Sequence, residues 1–144
     1  MAFTGNFVCT SFKVELMTAT HNFTNSTGNT FNIALYDNSA SFTAATTAYT
    51  ATNEVSGTAY VAKGNTLVNV TPVSSSTTAY TDFGDSTWSS STITARGAMI
   101  FNDTASGDPS VVILDFGSDK VSSSGDFVVI FPTANSTSAI IRIA

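Results

Sequence analysis

At 144 residues and 15.0 kDa the chain has the size of one domain, and with 42% apolar and 11% aromatic residues it holds too much oily side chain for disorder, despite 24 threonines and 20 serines. Ten acidic residues against five basic ones give a net charge of −5, which leaves no basic footprint for nucleic acid, and no apolar run is long enough to span a bilayer. One cysteine and one histidine exclude an intrachain disulfide, a cysteine-based zinc cluster and a multi-histidine centre.

Met1-Ala2-Phe3-Thr4 lacks the basic n-region and the uninterrupted apolar stretch of a signal peptide, so the chain is expected to be made and kept in a cytoplasm until assembly or lysis. Helical periodicity is confined to about 8–19, where Val8, Phe12, Leu16 and Ala19 stack on one face and Thr10 or Ser11 is the expected cap. Two roles are open for this helix: covering an open end of the sheets, or docking on a neighbouring subunit. Cys9 has no basic neighbour in sequence and reads as a small buried hydrophobe. His21, just past the helix, is expected to help end it and to favour its dipole.

From about residue 30 the period becomes two. Phe31, Ile33 and Leu35 point one way, with Asn32, Ala34 and Tyr36 opposite, and Asp37-Asn38 ends the strand. Residues 39–53 are expected to make a long surface excursion tied down by Phe42 and Tyr49. A hairpin is predicted from 55–61 and 66–70 around Lys63-Gly64-Asn65, with Gly64 at positive φ and Pro72 closing it. A short strand at 79–83 stops at Gly84-Asp85. A long one at 92–101 carries Gly97, marking a bulge or a close backbone approach. After a loop at 102–109, Val111–Phe116 and Phe127–Phe131 read as two strands apolar on both faces, joined by a polar turn over 118–125. The chain ends on a strand at 139–144, which is hydrophobic enough to require pairing. The expected fold is all-β, an antiparallel sandwich or jelly-roll-like barrel with one short N-terminal helix, in a single domain over 1–144. Its apolar faces and low charge favour a homo-oligomer.

Chemistry-bearing residues are sparse. Asp82, Asp85, Asp103 and Asp108 are expected to shape turns; a weak calcium site is the alternative, and their spacing is not that of an EF-hand. Arg96 and Arg142 interrupt apolar strands. Each is either an exposed arginine on a solvated face or half of an ion pair that sets strand register or subunit orientation, with Asp115 and Glu54 as candidate partners. Five Asn-x-Ser/Thr triplets, at Asn22, Asn25, Asn69, Asn102 and Asn135, are expected to be unmodified without a signal peptide. No catalytic, cofactor-binding or metal-ligating set is predicted.

Several stretches resemble small virion structural proteins of tailed bacteriophages: Thr30-Phe31-Asn32-Ile33-Ala34-Leu35-Tyr36, Asn53-Glu54-Val55-Ser56-Gly57-Thr58-Ala59-Tyr60 with Lys63-Gly64, Trp88 through Ala98, and Leu114-Asp115-Phe116-Gly117. Chains of this kind usually carry Gly at the position of Ala59 and a Gly-Gly pair in place of Lys63-Gly64. The resemblance is greatest to head decoration (cement) proteins. It implies a non-enzymatic protein of the capsid surface, made in the host cytoplasm. Such a protein binds between major capsid subunits, self-associates as a homotrimer, stabilises the shell, and engages neither nucleic acid nor membrane. A tail or head–tail connector protein is the first alternative. A carbohydrate-binding β-sandwich is the second, and it would use Trp88, Tyr49, Tyr60 and Tyr80 as an aromatic platform. The residues expected at an interface, or to fix register, are Phe12, Leu16, Glu54, Tyr60, Trp88, Arg96, Asp115 and Arg142.

Overall fold

The computed structural model describes residues 3–144; Met1 and Ala2, which open the stretch read against a signal peptide, lie outside the described residues. In chain order the elements are β1 (Phe7–Val8), α1 (Thr10–Met17), β2 (Phe31–Tyr36), β3 (Asn65–Thr66), β4 (Asn69–Ser75), β5 (Thr78–Phe83), β6 (Ser86–Asn102), β7 (Ser110–Val129) and β8 (Ile141–Ile143). They form two antiparallel sheets, ordered β1-β7-β6-β2-β3 and β4-β5-β8. The all-β expectation holds. Neither sheet closes on itself, so the barrel alternative is not realised.

Strand β2 lies inside the large sheet, and all six of its residues are buried. Its alternation is as expected, but both faces are covered. The excursion that follows folds back over it, with the Tyr36 hydroxyl donating to the Thr50 carbonyl at 2.7 Å and the Leu35 N–H donating to the Tyr60 hydroxyl at 2.9 Å. Phe42 is buried and Tyr49 packs against the core, so both rings anchor this segment as expected. Phe31 stacks on Phe23 at 4.4 Å, and Phe83 of the small sheet meets both rings, which locks the two sheets together.

The predicted 55–61/66–70 hairpin does not form. Asn53, Ala59, Lys63 and Gly64 all adopt positive φ, which curls 53–64 into turns that meet strands only at single points: Glu54 bridges Tyr36, Val55 N–H donates to the Leu35 carbonyl, and Thr58 bridges Thr92. Gly64 does sit at φ 66, and a Cβ there would collide with the Ile33 carbonyl oxygen. The real hairpin joins β4 to β5 across Ser76, at φ 55. Pro72 lies within β4 at a register shift between Val70 and Val73, and its missing N–H is tolerated because β4 is an edge strand.

The 92–101 strand extends over the whole of β6, taking in Trp88. Gly97 combines both expectations: pairing shifts between Ala95 and Gly97, and a Cβ would strike the Leu114 carbonyl and the Phe3 ring. The polar turn predicted at 118–125 is instead continuous strand. Residues 110–129 run as one bent β7, with Ser90 (φ 52) and Ser124 (φ 50) absorbing bulges on the paired strands. Val111, Val112 and Ile113 are buried, and this stretch is flanked by β1 and β6. The 127–131 stretch alternates rather than being apolar inward on both faces, with Phe127, Val129 and Phe131 in and Val128 and Ile130 out.

Helix α1 is shorter than 8–19. Cys9, not Thr10 or Ser11, holds the cap position and makes no side-chain capping bond; tertiary backbone bonds from Cys9 N to Val111 O and from Thr10 N to Ala44 O serve this end. At the other end Ala19 turns left-handed at φ 58, while Ala19 N donates to Leu16 O and Thr20 N to Glu15 O, a Schellman closure. Val8 belongs to β1 and Ala19 is exposed, so the buried helical face reduces to Phe12 with Leu16 beside it. The terminal strand is paired as expected, as β8 on β5.

Candidate functional site

Most polar groups that reach the interior tie segments to one another. Glu54 is the clearest case. Its Oε2 accepts from the Tyr49 hydroxyl at 2.6 Å, and its Oε1 accepts from the Tyr60 hydroxyl and the Lys63 N–H, both at 2.7 Å. Glu54 was expected as an arginine partner and is not one here; the residues it gathers, Tyr49, Tyr60 and Lys63, all lie within nine positions of it in sequence. Burial, then the adjacent carboxylate, pushes the Tyr49 phenol up to about 12; burial drives Tyr60 and Tyr36 higher still. Tyr60 also stacks on Trp88, whose ring is only 2% exposed. Of the four aromatic residues that a sugar platform would use, these two are therefore spent on each other.

Lys63 reaches the 102–109 loop, where its Nζ lies 2.8 Å from both Asp103 and Asp108 and over the rings of Tyr49 and Phe101. Those hydrogen bonds hold the ammonium well above the ordinary lysine range. The other two aspartates are also engaged. Asp85 accepts from Phe131 N–H, and Asp82, buried between the Phe83 and Ile140 N–H groups, has its carboxyl pushed up by that burial. Among the described residues no three His, Cys, Asp or Glu side chains converge on a point where a metal would sit. Burial likewise raises the Cys9 thiol, in keeping with a small buried hydrophobe.

Arg96 and Asp115 do come together, Nε to Oδ1 at 3.1 Å, across the β6–β7 pair where Gly97 faces Asp115. The Gly117 N–H, reinforced by the Arg96 guanidinium, holds the Asp115 carboxyl below the usual range. This pair sits beside the register shift between Ala95 and Gly97. Arg142 has neither predicted partner. It lies exposed on β8, and its Nη1 donates to the Thr137 carbonyl.

Sequence reasoning missed the His21–Asn102 hub. Asn102 Oδ1 accepts from the Thr104 and Ala105 N–H groups, which turns its amide nitrogen toward Asn29 and toward His21 Nδ1 at 3.0 Å. His21 Nδ1 is thus an acceptor, and Nε2–H donates to Glu15 at 2.7 Å. The histidine fastens the helix to β6 rather than terminating it, and no local spacing announces a partner 81 residues away.

Two outward-facing surfaces were also not foreseen. The first is the free edge of β7. Since β1 pairs only with Val112 and Ile113, and Asn6 reaches no further than the Asp115 N–H, the far half of β7 has no paired strand on that side among the described residues; Val121 (68%), Val128 (45%) and, just past its end, Ile130 (76%) are exposed around a groove of about 420 Å³. The second lies between α1 and the free edge of β8. There two adjoining grooves of about 440 and 380 Å³ share Leu16, Ile141 and Ile143, with Met17 (81% exposed) on the rim. Of the two helix residues expected at an interface, Phe12 enters the chain's own core and Leu16 lines the trough. Compared with protein-family models, curated proteins and solved structures, the chain finds no match.

Proposed function

We propose that this chain is a virion structural protein of a tailed bacteriophage, a non-enzymatic head decoration (cement) protein. It would sit on the outer shell between major capsid subunits as a homotrimer with a β-sandwich body. The observation that carries this reading is the outward apolar surface: two unpaired strand edges, each beside a shallow groove, on a chain whose few charges are largely engaged internally. A clamp works through many shallow contacts and adds stability by mass action to the assembled shell only. Ala59 and Lys63, the positions where resembling chains carry glycine, both have positive φ, which supports a shared backbone path. The same edges would equally serve a tail or head–tail connector, and copy number separates the two. In purified particles the chain is expected at a fixed, near-stoichiometric ratio to the major capsid protein. Particles assembled without it should release DNA at lower temperature. A few tens of copies per particle, with unchanged heat release, would overturn the capsid assignment and favour the connector.

A further inference from the structure

The two unforeseen surfaces differ in charge as well as position. The trough beside β8 is bounded by Lys13, Leu16, Met17, Ile141, Arg142 and Ile143. It therefore holds two of the chain's five basic residues, and neither of its adjoining grooves is lined by a carboxylate, although acids outnumber bases two to one in the sequence. The free end of β7 presents the complement: exposed Val128 and Ile130 on one face, with Asp126 leading them. Asp126 uses one oxygen to accept from Ser90 N–H and keeps the other; Arg142 uses one N–H on Thr137 and keeps the rest of its fork. Both strands end their sheets on the relevant side, so each offers an unpaired row of backbone donors and acceptors.

We infer that residues 126–130 of one copy add as a strand to β8 of the next. In this contact Val128 and Ile130 enter the trough of the neighbour, and Asp126 meets the Lys13–Arg142 end. The contact is heterologous, since one surface of each copy meets a different surface of its neighbour, and it therefore propagates into a ring if the rotation closes. Lys120, which also borders the β7 groove, stays outside the added segment, away from Arg142. The inference specifies the self-association part of the proposed function and does not depend on where in a particle the protein sits.

The test uses the full chain in solution, with mass measured by sedimentation equilibrium. The wild type is expected to be larger than a monomer, and Ile130→Asp and Ile143→Asp, both at exposed positions, are each expected to run at 15.0 kDa. Mixed together, the two variants should form a species of two chains and nothing larger, because one intact edge and one intact trough remain. Arg142→Glu should weaken assembly by about tenfold or more, and adding Asp126→Lys should restore it. Circular dichroism melts establish that each variant is folded. A monomeric wild type at every concentration up to about 1 mM, an assembly that survives either aspartate, or a mixture that stays monomeric would each overturn the contact. A monomer that nonetheless coats the shell in particles would overturn this contact and leave the proposed function standing; a ring in solution that is absent from particles would do the reverse.

Discussion

Glu54 illustrates how much one carboxylate organises in a chain this poor in charge. It is the common acceptor for two tyrosine hydroxyls and a backbone N–H, and so holds the curled segment over β2. Glu54→Gln is expected to cost about 2 kcal/mol in urea unfolding, because hydrogen bonds to a charged acceptor become neutral ones. Tyr49 should then titrate nearer the ordinary phenol value, followed by absorbance. Since Tyr36, Tyr49 and Tyr60 all hold their protons above the usual range, the unfolded chain releases protons first as pH rises. Stability should therefore fall above about pH 10. Asp115 works in the opposite direction. Its lowered carboxyl contributes stability that is present above the unfolded value of about 3.9 and lost as pH falls below it. Asp115→Asn should cost about 2 kcal/mol at neutral pH, because the hydrogen bonds from Arg96 and the Gly117 N–H then reach a neutral acceptor, and should flatten the loss between about pH 5 and 3. The Arg96–Asp115 pair was legible because an arginine inside an apolar strand needs a partner. The Glu54 and Asn102 hubs were not, since their partners meet only after the chain has curled or crossed the fold.

Elements were legible where side-chain period and burial agreed. Residues 31–36, 79–83, 92–101, 111–116 and the terminal strand all carry enough apolar or β-branched side chains to declare themselves. The two failures have different causes. Residues 118–125 are Ser-rich because that half of β7 pairs with an equally Ser/Thr-rich half of β6 facing solvent, so polarity marked exposure and not a turn. Residues 55–61 alternate like a strand, yet left-handed residues at Asn53, Ala59 and Lys63 break the extension. The backbone there makes a contrasting pair of substitutions informative. Gly64→Ala should destabilise by more than about 2 kcal/mol, since it combines a left-handed conformation with a clash against the Ile33 carbonyl. Ala59→Gly relieves a left-handed alanine and should stabilise by a few tenths to about 1 kcal/mol. Thermal or urea melts of both variants check the pair.

At the scale of the molecule, the large aromatic rings bind the two sheets to each other, while the hydroxyl-rich chain keeps much of its remaining surface polar. Among its open surfaces are the β7 edge and the α1–β8 trough, on a protein whose buried polar groups mostly serve its own architecture. The proposed decoration role makes those surfaces contacts between copies and with the shell. Cryo-electron microscopy of the intact particle tests it most directly. A decoration protein is expected in hundreds of copies arrayed over the icosahedral surface, grouped about local symmetry axes between major capsid subunits. Density for the chain only at one vertex or along the tail, or none in the particle at all, would contradict it.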